Sequence, residues 1–585
     1  MREIVVGLVT QGLERLAGEG LLPGELATAF AQRSADFKVE RPREKSHGDF
    51  STNAALVLAR MVGMKPRDLA QRLLAAMPGG EDVGVRCEIA GPGFINFHFS
   101  EDRLRGLIPE IRQRGADYGR SRVGAGQRVL VEFVSANPTG PMHVGHGRGA
   151  VTGDVIARLL DAIGCTVARE YYINDAGAQI DVLGRSVLYR YLECLGRDAV
   201  APEDYYPGEY VIEIARALIE RDGEAWLPAA ESLRQAVPGE LPKPPVGVID
   251  FAIEWVMREI RTDLEAMHIH FDSWFSERTL HAGGGIERAL AHLSAHDWLY
   301  EGVLEPPKGR EVTPEEADGR THLLFRSTRL GDDSDRPLLK ADGTPTYFAA
   351  DIAYHFDKAR RGFTRLVDVW GADHGGYVKR VQAALEAMTG EKDLLDVVLT
   401  QMVNLTQGGK QVRMSKRAGT FVTLRDVLDE TGSDAVRYWF LMRSSGAGLD
   451  FDLDLAKSKS NDNPVFYVQY AHARACSLEV KLKERELPEV AGDLARLTAA
   501  EELDLIRLLG MFPEMVEGAA LSREPHRVTY YLSDLAAAFH GYYNNYRILD
   551  EDPEVRGARM ALVRAAGRVI ANGLSLLGVT APVSM

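Results

Sequence analysis

The sequence predicts a multidomain α/β fold: a small α/β unit, a larger unit built on a parallel sheet crossed over by helices, and a closing helical bundle. Three observations carry this. Apolar runs of strand length alternate with helical periodicity from about residue 128 onward, the pattern of parallel strands joined by helices. Strand signals vanish after Phe451-Asp452-Leu453-Asp454, and helical patterns continue to Met585. The 585 residues also exceed what one hydrophobic core supports, since domains run to ~100–200 residues.

Residues 1–115 form the first unit. A helical start is followed by the polar word Ser46-His47-Gly48-Asp49-Phe50-Ser51-Thr52-Asn53, an amphipathic run from Ala54 to Ala76, and the alternating strand Phe94-Ile95-Asn96-Phe97-His98-Phe99. Turn residues in Arg114–Arg120 and Gly124-Ala125-Gly126 place a boundary before the next strand. The second unit spans 116–455. It opens with the strand Val129–Val134, continues with a helix through Val151, Val155, Leu159 and Leu160, and adds a strand from Thr166 to Ile173. Between about 200 and 335 the pattern loosens around Leu241-Pro242-Lys243-Pro244-Pro245 and Asp332-Asp333-Ser334-Asp335, which reads as an insertion. The sheet resumes at Leu366-Val367-Asp368-Val369-Trp370-Gly371, and residues 456–585 form the bundle.

Hydrophobic content of 45% and charged content of 26% are those of an ordinary soluble protein and exclude a disordered chain. Acidic residues and amphipathic spacing follow the short apolar run at the N-terminus, so it reads as a helix of the mature protein and no membrane association is expected. Cys87, Cys165, Cys194 and Cys476 are scattered, without CxxC or histidines at zinc-ligand spacing; reduced cytoplasmic thiols and no structural zinc are expected. A net charge of −15 argues, taken alone, against a nucleic-acid partner. The charge is uneven, however: both terminal units are close to neutral, and most of the acidity lies in the middle.

Two short words carry the chemistry. His143-Val144-Gly145-His146 follows the strand and the turn-rich stretch Ser135–Pro141, where a helix begins. The first turn of a helix offers unpaired N–H groups and partial positive charge, suited to a nucleotide phosphate. Gly145 allows close approach, and two imidazoles can donate to phosphate oxygens whose charge grows during displacement. Far downstream, Arg413-Met414-Ser415-Lys416-Arg417 offers a mobile ammonium. Alone, each word has a bland reading, a capped helix and a solvated basic turn.

Together they resemble the HIGH and KMSKS signatures of class I aminoacyl-tRNA synthetases. Glu132-Phe133-Val134-Ser135-Ala136-Asn137-Pro138-Thr139-Gly140-Pro141, Tyr171-Tyr172-Ile173-Asn174-Asp175-Ala176-Gly177 and Asp342-Gly343-Thr344-Pro345-Thr346-Tyr347-Phe348-Ala349-Ala350-Asp351 narrow the resemblance to the bacterial-type arginyl-tRNA synthetase family, from about residue 40 to the C-terminus. Arg413 departs from the first lysine of the second signature; Lys416 keeps the second.

The resemblance implies a class I Rossmann-type catalytic domain with an insertion, flanked by an N-terminal domain for the tRNA D-loop and an anticodon-binding bundle. It implies ATP, with Mg2+, L-arginine and tRNA(Arg) as partners of a monomer, activation that needs bound tRNA, and the terminal adenosine's 2′-hydroxyl as first acceptor. His143, His146 and Lys416 match its catalytic residues; Gly145, Met414 and Ser415 join them around ATP, with Asp373 and His374 on the adenosine or arginine side. Glu132 and Asn137 match positions that hold the amino acid's α-amino and carboxylate groups. A guanidinium demands carboxylates and flat walls, which Asp351 and Tyr347, four apart on one helical face, can supply. Asp351 could equally cap a helix.

Phe94 and Asn96 resemble the family's D-loop pair, although alternating phenylalanines also build cores. Phe539-His540-Gly541-Tyr542-Tyr543-Asn544-Asn545-Tyr546-Arg547 is rich in stacking and amide groups. This makes Tyr542, Tyr543 and Tyr546 candidate anticodon contacts, with packing between helices the alternative for some. Two rival functions remain at this level: a relative loading cysteine, which would want a thiolate-binding metal, and a non-catalytic tRNA-binding paralogue.

Overall fold

The computed structural model describes residues 1–31, 37–42, 44–236, 241–303, 321–340, 342–412 and 422–585. At its centre is a five-stranded parallel sheet. We number its strands β1 (Arg128–Glu132), β2 (Thr166–Ile173), β3 (Ser273–Ser276), β4 (Arg365–Gly371) and β5 (Leu395–Thr400); their order across the sheet is 5-4-1-2-3. β1 leads outward to β2 and β3, and the chain then returns to the other side of β1 for β4. The switch in direction opens a crevice at the carboxyl ends of β1 and β4, where open α/β sheets bind ligands. Val129, Leu130 and Val131 are fully covered by helices on both faces, which explains the unbroken apolar run in the sequence.

The helix Val144–Ala162 crosses from β1 to β2 and lies so close to the sheet that Gly153 presses on Phe133: a Cβ at 153 would stand 2.2 Å from the ring's Cγ. Alanine normally favours a helix interior over glycine by ~1 kcal/mol. Here the fully buried Phe133 would have to move, and Gly153→Ala is expected to destabilise the protein by about 1–3 kcal/mol in chemical denaturation.

Within 200–335, β3 joins the central sheet as its edge, while Leu299–Val303 and Thr321–Phe325 form a separate antiparallel sheet with Arg336–Pro337, just past that range. β3 has no recognisable strand signal of its own because four residues are too few for a periodic pattern.

The N-terminal residues pack helices Arg2–Gly18 and Pro66–Ala76 on a four-stranded antiparallel sheet containing Phe50–Thr52 and Phe94–Phe99. After Asp452 the described chain is helical: Pro464–Glu484, Ala500–Gly510, Phe512–Ser522, His526–Asn545 and Pro553–Leu577 are its main helices. Pro553–Leu577 is long and apolar enough to cross a bilayer, but two thirds of its apolar window, 67%, is buried in the protein. Polar ties hold the bundle to the rest: Asn572 donates to the carbonyls of Gly115 and Tyr118, and Arg507 pairs with Asp49 at 3.1 Å.

Candidate active site

The site begins at a strained turn. Val134 and Ser135 both have positive φ, 69° and 40°, and the Ser135 N–H donates to the Phe133 carbonyl at 3.0 Å, closing a tight turn round Val134. A β-branched residue there costs on the order of 1–3 kcal/mol and persists only where its surroundings fix it. Those surroundings are visible. Ser135 Oγ donates to Glu132 Oε1 at 2.8 Å and accepts from the Tyr172 N–H at 3.1 Å, and Tyr171 donates to the Ala136 carbonyl at 2.8 Å. The turn thus delivers Asn137 to the crevice, where the side chain is exposed and donates to Gln179 at 2.7 Å.

His143 is the N-cap of the helix Val144–Ala162. Its Nδ1 accepts from the backbone N–H of Gly145 at 3.1 Å and of His146 at 3.4 Å, while His146 Nδ1 accepts from the His143 N–H at 3.4 Å. The rings stack, centroids 3.7 Å apart. With each Nδ1 accepting from backbone, the neutral tautomer assigned from this pattern carries its proton on Nε2. Both rings are therefore donors at Nε2, beside a helix N-terminus. Gly145 matters here because a Cβ would meet the His143 ring at 3.0 Å and disturb the cap.

Arg413, Met414, Ser415 and Lys416 lie outside the described residues. The chain re-enters at Val422, and the next residue, Thr423, forms a β-bridge with His143, while the Leu424 N–H donates to the Met142 carbonyl at 2.8 Å. The described residues that follow the second signature therefore lie against the first.

On the other side of the crevice the helix Tyr347–Arg360 presents Tyr347 and Asp351. The N-cap is Thr346, whose Oγ accepts from Ala349, so Asp351 is not the cap. Its Oδ2 accepts from the Tyr377 hydroxyl at 2.6 Å, and burial pushes its carboxyl above the usual carboxylate range. Glu277 faces it. Burial raises this carboxyl too, with the Asp351 charge adding to the shift, and it is approached by the Tyr172 hydroxyl. With its amide turned to suit its neighbours, Asn174 donates to Glu277 Oε2 at 2.7 Å. Tyr347 is 61% exposed, its hydroxyl near the turn at Gly177. Two acids, two tyrosine hydroxyls and an exposed ring thus bound one opening.

Glu277 and Tyr377 were missed by sequence reasoning. Glu277 follows the short β3 with no motif round it. Tyr377 closes the word Trp370–Tyr377, in which Asp373 and His374 stood out instead. Those two sit beyond β4 in a 3-10 turn with side chains 82% and 62% exposed and 3.6 Å apart, at the crevice mouth.

Three expectations need correction or restriction. Glu132 is only 7% exposed, and Ser135 and the Lys358 ammonium already hold its two carboxylate oxygens, so it is an internal anchor before it is a substrate contact. Asn96, 2% exposed, lies under cover beside the 39% exposed Phe94; only Phe94 is presented to a partner as the domain stands. Tyr542 is 1% exposed and donates to Glu502, so it packs the bundle and offers no face to a base. Tyr543 carries the Arg474 guanidinium 4.8 Å above its ring, and Tyr546 carries that of Arg559 at 4.8 Å while donating to Glu501 at 2.8 Å. Arg474 also spans Tyr470, His540 and Asn544, making a cationic, aromatic and amide cluster at this end of the bundle.

Comparison with known proteins finds three family models in succession along the chain. Residues 16–99 match the family described as arginyl tRNA synthetase N terminal domain, 108–195 the tRNA synthetases class I (R), catalytic domain, and 468–585 the DALR anticodon binding domain. The chain is 57% identical to an arginine–tRNA ligase of Magnetococcus marinus, with 100% of both covered, and 46% identical to one of Jannaschia sp., covering 98% of this chain and 97% of that one. In fold it is similar to the Thermus thermophilus arginyl-tRNA synthetase, with a TM-score of 0.74, 22% identity and full coverage of both chains.

Proposed function

Since the chain belongs to the arginyl-tRNA synthetase family and activates L-arginine with ATP before transferring it to tRNA, we propose which of its residues perform each step. Full-length identity to arginine–tRNA ligases leaves neither the cysteine-loading nor the non-catalytic reading.

The α-carboxylate of arginine attacks the α-phosphorus of ATP, the bond to the β-phosphate bridging oxygen breaks, and pyrophosphate leaves. The nucleophile is the bound substrate, so the protein's work is positioning and charge stabilisation. His143 and His146 donate from Nε2 to the phosphates at the helix N-terminus, Gly145 keeps the approach open, and Lys416, flanked by Met414 and Ser415, meets the departing pyrophosphate. ATP enters as its magnesium complex, and Asp373 and His374 line the adenosine side. In the second step the 2′-hydroxyl of the terminal adenosine attacks the arginyl carbonyl and AMP leaves.

Asp351 and Glu277 take the guanidinium, with Tyr347 as its wall; Asn137 faces the α-amino end, on the turn that Glu132 anchors from within. Phe94 meets the D-loop. On the bundle Tyr543 and Tyr546, with Arg474 and Asn544, face the anticodon. A soluble cytoplasmic monomer is the working form; four free cysteines fit a reducing compartment.

The observation behind the arginine pocket is Asp351, held by the Tyr377 hydroxyl at 2.6 Å on the helix face that also presents the exposed Tyr347, with Glu277 near enough for the two charges to act on each other; burial raises both carboxyls, and His281 Nε2 stands 3.5 Å from Glu277 Oε1. A guanidinium would stabilise both ionised forms, so arginine binding should release protons. The sign follows from the direction of the shifts. The ionised acids are lost as pH falls through the raised values, so the arginine KM should climb in mildly acidic solution before the ATP KM does. A flat arginine KM down to the ordinary carboxylate range would remove the pair from the pocket. Arginine-dependent exchange of labelled pyrophosphate into ATP, with and without tRNA, tests the whole assignment; exchange that ignores tRNA would break the coupling expected from the family.

A further inference from the structure

Three carboxylates stand in a row across the middle of the central sheet. Asp368 of β4 is in register with Glu132 of β1, and Glu132 with Glu170 of β2; all three are buried, Asp368 and Glu170 completely. Residues paired in adjacent strands project from the same face, so these acids would repel unless met by base.

One helix meets all three. Lys358, fully buried, places its ammonium between Glu132 Oε2 and Asp368, 2.9 and 3.1 Å from the two oxygens of the latter. His355 reaches Asp368 at 2.8 Å, Tyr354 donates to Glu170 at 2.8 Å, and Arg361 at the helix end grips Glu170 with two bonds of 2.6 and 2.7 Å. Tyr354, His355 and Lys358 belong to the helix Tyr347–Arg360, which carries Asp351 seven residues before Lys358.

Burying such charges gains little stability over apolar packing of the same volume; their best attested use is to fix register. Here the register decides chemistry. A shift of the helix by one turn would carry Asp351 ~5.4 Å along the sheet. The ammonium also holds Glu132, whose other oxygen orders the strained Ser135 turn before Asn137.

We propose that Lys358 is a positioning residue of the arginine site: by locking the helix of Tyr347 and Asp351 to the acid row, it fixes the span between the guanidinium end and the α-amino end of the pocket. The proposal rests on the reading of Asp351 as the guanidinium carboxylate. It makes Lys358 a determinant of substrate length without touching substrate.

The test compares Lys358→Arg, Lys358→Met and the charge-matched Lys358→Met/Asp368→Asn protein with wild type in the full chain, by tRNA-dependent pyrophosphate exchange and thermal melting. The double variant loses one charge of each sign, so its melting temperature should return towards wild type. Its arginine KM should stay raised at least tenfold, with the ATP KM within twofold. Its preference for L-arginine over L-homoarginine, one methylene longer, should fall at least fivefold. A double variant with wild-type arginine KM and wild-type preference would leave the ammonium a purely structural role and overturn the proposal. Failure of all three variants to fold would overturn it equally, by assigning the ammonium to folding. Failure of the underlying pocket reading looks different: Asp351→Asn would then leave the arginine KM unchanged whatever Lys358 does.

Discussion

Asp351→Asn should raise the arginine KM by roughly 30- to 1,000-fold, leave the ATP KM within about threefold, and leave the protein as stable as before or more so. The size follows from what is removed. A charge-assisted hydrogen bond to a guanidinium in a desolvated pocket is worth about 2–4 kcal/mol, and each 1.4 kcal/mol is tenfold. Asparagine keeps the shape and can still accept from Tyr377, so only the charge is lost. The stability expectation has the opposite sign from that of most buried substitutions. A carboxyl whose folded-state pKa is raised weakens the fold once pH exceeds the unfolded value, because ionisation is then more costly in the folded state. Removing the charge removes that cost. The protein holds Asp351 at the expense of its own stability, as expected of a residue kept for binding. Isothermal titration with arginine and a melting curve would check both halves; weaker melting with unchanged arginine affinity would make Asp351 structural.

The legible part of the fold was the part with long periodic patterns. β1, β2, β4 and the helix after β1 stood out because apolar runs and 3.6-residue spacing extend over many residues. The short β3, the pairings of the insertion and the order of strands did not, since pairing partners across hundreds of residues leave no local mark. The site divided in the same way. His143, Gly145 and His146 were readable because backbone geometry and chemistry coincide in four consecutive residues. Asp351 was readable through Tyr347 on the same helical face, whereas Glu277 contributes a lone carboxylate from another strand end.

The misplaced residues share a cause. Asn96 and Tyr542 have the right chemistry for nucleic acid, but composition does not reveal which face of a strand or helix is covered. Glu132 shows the converse: its buried partner Lys358 lies 226 positions away, so a carboxylate that reads as a substrate ligand doubles as a tie between β1 and the helix of Asp351. The acid row makes one further point. The middle of the chain carries most of the net negative charge, and part of that acidity is internal, met by His355, Lys358 and Arg361. A chain average of −15 therefore says little about the surface offered to tRNA.

The second large effect is expected at His143, and the choice of replacement decides what is learned. His143→Ala removes two things at once, the ring donor and the acceptor that caps Gly145 and His146; the cap alone is worth ~1 kcal/mol of stability. His143→Asn separates them, because asparagine is a good N-cap and its Oδ1 can take over the backbone N–H groups. The helix start and the bridge to Thr423 should then survive, with melting close to wild type. What disappears is the Nε2–H donor at the phosphate. Loss of one preorganised donor to developing transition-state charge costs on the order of 10²–10³ in kcat. Pyrophosphate exchange by His143→Asn should fall by that factor with both KM values nearly unchanged, since the donor acts mainly on charge that appears after binding. A fall below about tenfold, or a loss carried by the ATP KM instead of kcat, would mean that the ring serves the helix and not the phosphate.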